Sequence, residues 1–115
     1  MPNVTITLKN PIEGPVYDAM PGDTRTSQTI TEIELREPRY RDIMTLGEPA
    51  AYGRSDAGMV YQAEKDDVVA AYIERLLISP KDRALLEQLS LADTMQLKET
   101  VFGFFQEARA AISQP

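Results

Sequence analysis

The sequence predicts an α+β fold: an N-terminal antiparallel β-hairpin, then a short helix, a loop, and a C-terminal bundle of about three helices. Three observations carry this. Val4, Ile6 and Leu8 alternate with Thr5, Thr7 and Lys9, and Ile33 and Leu35 alternate with Glu32, Glu34 and Arg36, the period-2 pattern of strands with one buried face. From Val69 onward the apolar residues recur at helical spacing instead. Start and stop residues for helices fall between the apolar runs. The chain accordingly divides into 1–47 (hairpin and short helix), 48–64 (loop or linker) and 65–115 (helical region), expected to form one compact domain.

The first strand is expected to end at Asn10-Pro11, because proline cannot donate to a ladder. Residues 11–27 contain Pro11, Gly14, Pro15, Pro21 and Gly22 and read as a long irregular connection. The second strand spans about 29–36 and pairs antiparallel with the first. A lone hairpin is marginal in water, so helices or another sheet must cover it. Pro38 suits a first helical turn, and Tyr40, Ile43, Met44 and Leu46 give a short helix stopping near Gly47. Residues 47–58 read as a loop, with a brief strand at Met59-Val60-Tyr61.

Val69, Tyr72, Ile73, Leu76 and Leu77 share one helical face. Ser79-Pro80-Lys81-Asp82 has the order of a helix start, with serine as N-cap, proline at the first position and a carboxylate at the third. A short helix carrying Leu85, Leu86 and Leu89 follows. Ser90-Leu91-Ala92-Asp93 repeats the capping logic and opens a last helix to about Ile112. At 100° per residue, Leu91, Met95, Leu97, Val101, Phe102, Phe104, Phe105, Ala108 and Ile112 cover about half of its circumference, more than the ~100° stripe that faces a core. Two readings follow: a small domain packs this helix on both of its sides, or one edge of it is left for a partner.

Composition narrows the chemistry. The 115 residues include 12 basic and 18 acidic ones, a net charge of −6, with 43% hydrophobic residues. An acidic excess disfavours nucleic acid and anionic lipid as partners. The chain has neither cysteine nor histidine, which removes disulfides, thiol nucleophiles, the usual general base and the commonest metal ligands. Asp66 and Asp67 are adjacent and so point about 100° apart on a helix; they read as favourable charge at its N-terminus, not as a carboxylate pair. Arg36, Arg39 and Arg41 are interleaved with Glu37 and Asp42 and read as surface ion pairs. Gly53 to Gly58 lacks the lysine and hydroxyl of a phosphate loop. No apolar run reaches the ~20 residues of a membrane span, and the N-terminal segment lacks the pattern of a signal peptide, so the expected location is cytoplasmic. The expectation is a binding protein without catalytic, cofactor or metal sites.

Two stretches carry a resemblance. One is Thr5-Ile6-Thr7-Leu8-Lys9-Asn10-Pro11-Ile12 with Ile30 to Pro38 and then Asp42. The other is Leu76-Leu77-Ile78-Ser79-Pro80, Leu89-Ser90-Leu91-Ala92-Asp93 and Val101-Phe102-Gly103-Phe104-Phe105. In order and spacing they resemble the tail assembly chaperones of contractile-tailed, Mu-like and P2-like phages. The chain departs from that pattern in a longer connection between the strands and an inserted segment near 48–64. The resemblance implies a protein that binds the tape measure protein, keeps it soluble and helps recruit tail tube subunits, working in the host cytoplasm and missing from the mature virion. The tape measure protein is the implied partner, tail tube subunits are a further candidate, and self-association stays open. Pattern alone selects Tyr72, Leu97, Phe104 and Phe105 as partner-binding residues. Two other readings stand beside this one: a structural tail component retained in the virion, and a small acidic regulatory binding module.

Overall fold

The computed structural model describes residues 3–16, 20–54 and 56–113. Nine elements follow one another: β1 (Val4–Gly14), β2 (Gln28–Leu35), α1 (Tyr40–Leu46), β3 (Ala50–Arg54), β4 (Val60–Glu64), α2 (Asp66–Leu76), β5 (Leu77–Ser79), a 3₁₀ helix (Arg83–Gln88) and α3 (Leu91–Ser113). The mixed architecture, with its N-terminal antiparallel strand pair and C-terminal helices, is the one the sequence predicts. One hydrophobic core joins Ile6, Leu8, Ile33 and Leu35 of the strands to Val69, Tyr72, Leu76, Leu97 and Val101 of the helices. The outline is nevertheless elongated, 65 × 29 × 23 Å, with a radius of gyration of 17.2 Å, against about 13 Å for a compact chain of this length.

β1 does not stop at Pro11. It pairs with β2 from Val4↔Leu35 to Thr7↔Glu32 and again from Ile12↔Ile30 to Gly14↔Gln28, so five steps along β1 match two along β2. The extra residues form a bulge that contains Pro11. Because β1 is the edge of the sheet, ordered β1-β2-β5, a proline there breaks no ladder on a second side. The bulge keeps Ile6, Leu8, Ile12 and Gly14 all on the buried face. At Gly14 a Cβ would stand 2.7 Å from Ile30 Cδ1 and 3.0 Å from Leu85 Cδ1, so glycine permits the close approach of β1 to the 3₁₀ helix.

Further elements differ from the sequence reading. Where 48–64 reads as a loop with a brief strand at 59–61, β3 and β4 pair antiparallel over Ala50↔Glu64 to Arg54↔Val60, β4 beginning on that expected strand. Leu77 and Ile78, which look like the tail of a helical stripe, leave α2 and add β5 to β2, with Arg36 N donating to Leu76 O at 3.0 Å. This third strand and the helices together supply the cover that the hairpin requires. Ser79 does not cap a helix. The 3₁₀ helix starts at Arg83 and is capped by Asp82, whose carboxylate accepts Ala84 N at 2.9 Å. Likewise Pro38 lies before α1, whose cap residue is Arg39. Gly47 closes α1 at φ 78°, its amide donating to Ile43 O at 2.8 Å, a conformation that favours glycine.

Candidate functional site

α3 begins as its sequence suggests. The Ser90 hydroxyl accepts Asp93 N at 3.2 Å, and Thr94 Oγ1 donates back to Ser90 O. The Asp93 side chain reaches further. Its carboxylate accepts Lys9 N at 2.8 Å and Asn10 N at 3.0 Å, the two amides that the β1 bulge leaves without a strand partner. Those amides hold the Asp93 carboxyl below the usual aspartate range, with Ser90 adding to the effect. Beside it, Gln88 exchanges a pair of bonds with the Glu13 backbone. The end of the sheet is thereby fixed to the start of α3.

At the other end, Asp42 is buried and takes both guanidiniums that face it. Arg36 binds it through two nitrogens at 2.7 and 2.9 Å, and Arg75 Nε sits 2.5 Å away. Arg36 above all, then Arg75 and the Arg39 amide, pull the Asp42 carboxyl well below the ordinary range. Where the sequence reads as a surface pair, Arg36 and Arg75, both partly exposed, close around the buried Asp42 and tie β2, α1 and α2 together. Tyr72 completes the junction, its hydroxyl donating to Gly47 O at 2.5 Å and its ring meeting Phe105 edge-on at 5.3 Å. Burial raises the Tyr72 phenol pKa.

These junctions set α3 across α1 and α2 and leave apolar concavities beside it. One, about 360 Å³, lies between α2, the 3₁₀ helix and the first turns of α3. A second hollow of about 150 Å³ continues it along α2, sharing Ala70, Ile73 and Thr94. A shallow third, about 50 Å³, is lined by Pro38, Ile43, Phe104, Phe105 and Ala108. Around them several large apolar side chains stand in solvent: Tyr40 and Met44 on α1, and Leu91, Met95 and Ile112 on α3, the last 82% exposed.

The four residues selected from the sequence do not share one exposed patch. Tyr72 is 0% exposed and Leu97 1%, so both belong to the interior of the protomer. Leu97 forms part of the wall of the 360 Å³ cleft, and Tyr72 supports Phe105 from beneath. Phe105 is 9% exposed and Phe104 half-buried; these two line the shallow hollow together. Sequence reasoning passed over Ala70, Ile73, Leu86 and Leu89, whose cleft arises from the way three separate elements meet. In the sequence the leucines form a helical stripe, and no local signal shows that the stripe is incompletely covered.

Among the described residues no group of three or more acidic side chains could hold a metal ion, and no helix is long and apolar enough to cross a membrane. Residues 5–106 match the family model described as phage tail assembly chaperone proteins, E, or 41 or 14, and the chain belongs to that family. The family role is assembly of the phage tail, and it implies a non-catalytic protein that works with other tail proteins. No curated protein and no solved structure matches the chain.

Proposed function

We propose that this chaperone binds the tape measure protein, holds it soluble and helps bring tail tube subunits to it. The observation that carries the reading is the unfinished surface of α3. A trough of about 360 Å³ lies beside α3, and Leu91 and Met95, one turn apart on that helix, stand in water. Exposed methionines suit a client that must be held and then released, because the flexible thioether adapts to more than one packing. A few apolar anchors in shallow hollows give a reversible interface where a large obligate one would trap the client. Phe104 and Phe105 are the aromatic anchors on the α1 side, while Leu97 and Tyr72 shape the surface from below.

In this reading the protein acts in the host cytoplasm and leaves before the particle is complete. Quantitative mass spectrometry of purified particles tests that point. The chaperone reading expects this chain to be missing, and a stoichiometric amount would make it a structural tail component.

A further inference from the structure

The trough between α2, the 3₁₀ helix and α3 has a charge pattern that its apolar lining does not require. Its floor and walls are Ala70, Ile73, Leu86, Leu89, Thr94 and Leu97. The Thr94 hydroxyl donates to Ser90 O, so its proton is not offered to a ligand in the trough. The rim is acidic: Asp66 stands at one end, Glu74 and Glu87 at the other. Lys98 on the rim is engaged by Glu64 at 3.1 Å and Asp66 at 3.5 Å, and at the other end Arg83 Nε donates to the Glu74 backbone oxygen at 2.7 Å, leaving the Glu74 carboxylate itself without that bond. Glu74 and Glu87 carboxylates have no salt-bridge partner among the described residues.

From this arrangement we infer that the trough seats an amphipathic helix whose apolar stripe is flanked by lysine or arginine. Asp66 to Glu74 spans eight residues of α2, about 12 Å or just over two helical turns, which accommodates apolar side chains at i, i+3 or i+4, and i+7 of a docked helix. Residues flanking that stripe then fall beside Glu74 and Glu87. Basic residues there pair with them, and acidic ones are repelled. A second copy of this chain fits poorly, since each copy carries a net charge of −6. The same charge opposes nucleic acid and anionic membrane. The inference rests on the chaperone reading for its biological client, but the trough and its rim can be tested apart from it.

Ala70 is exposed and lines both hollows, so Ala70→Arg fills the trough without entering the core. The probe is a fluorescently labelled synthetic helix of ~14 residues with a leucine stripe flanked by lysine, compared with a twin flanked by glutamate. Fluorescence anisotropy should show binding of the lysine twin alone, weakening as salt rises from ~0.05 to ~0.5 M. Ala70→Arg, and separately the pair Glu74→Lys with Glu87→Lys, should each weaken it by about tenfold or more, with circular dichroism unchanged. Equal binding of both twins, or unchanged binding by Ala70→Arg, overturns the assignment. A dimer that Ala70→Arg dissociates, without peptide binding, also overturns it and gives the trough to a second copy. The same variants, co-expressed with the tape measure protein, separate the two claims. If wild type and variants keep it soluble equally, the trough assignment falls and the chaperone reading stands. If wild type does not keep it soluble yet binds the lysine twin through Ala70, the trough assignment stands and the tape measure reading falls.

Discussion

The Asp93 carboxylate accepts the backbone amide of Lys9 at 2.8 Å, joining residues 84 positions apart in the chain. The β1 bulge frees that amide and its neighbour from the ladder, and a buried amide without an acceptor is costly. Asp93 answers both at once while its own backbone amide bonds the Ser90 cap. Asp93→Asn keeps one acceptor but turns an N–H₂ toward a second N–H. We expect its melting temperature to fall by on the order of 5 °C, and that of Asp93→Ala further. Asp67→Asn, on the exposed first turn of α2, should change little. Thermal unfolding followed by circular dichroism checks all three.

Acid should act through the same groups. Asp42 and Asp93 both have folded-state pKa values below the ordinary aspartate range. An unfolded aspartate takes up its proton near pH ~4, while these two stay ionised in the fold until lower pH. Below that point the unfolded state binds more protons, so stability falls as pH falls. The contribution is fully present above about pH 5. Melting temperatures should be level from neutral pH down to there and then drop steeply. A decline already under way between pH ~7 and ~6 would point to other groups.

Asp42 faces two guanidiniums, and removing its charge leaves both uncompensated in a half-buried setting. Asp42→Asn should cost about 2–3 kcal/mol, measured by urea unfolding. Arg75→Lys keeps one positive charge but loses the Nε geometry that meets Oδ1. Its cost should be clearly smaller than that of Asp42→Asn.

Tyr72→Phe keeps the ring against Phe105 and removes the hydroxyl that Gly47 O accepts. About 1 kcal/mol of stability should be lost, together with the raised phenol pKa in an alkaline absorbance titration.

Phe104 is the aromatic anchor that can be altered with least damage to the core, being half-buried where Phe105 is not. Phe104→Glu should weaken tape measure binding while the far-ultraviolet circular dichroism signal persists. Loss of that signal would return Phe104 to the core and remove it from the interface.

Much of this architecture is legible in the chain. Ile6, Leu8, Ile33 and Leu35 are buried as alternation predicts, and Val69, Tyr72, Ile73 and Leu76 as helical spacing predicts. Ser90 caps α3 where its sequence says it should. The start of β4 shows at Val60-Tyr61, but β3 is hard to see because Ala50-Ala51 and Gly53 supply neither a β-branched run nor clean alternation. β5 is hidden because Leu77 continues the spacing of α2 and only its pairing with Leu35 makes it a strand. Partners such as Asp93 with Lys9 and Asp42 with Arg75 depend on elements meeting in space, which local pattern does not encode. The same limit governs the site. Leu97 and Phe104 are seven residues apart on one face of α3, yet one is sealed and the other reaches the surface. What lies opposite each decides that difference, and periodicity carries no record of it.

Co-expression of this chain with the tape measure protein tests the central claim most directly. The account predicts that the tape measure protein, insoluble alone, moves into the soluble fraction and co-purifies with the chaperone through size-exclusion chromatography. A tape measure protein that precipitates equally with and without this chain would contradict it.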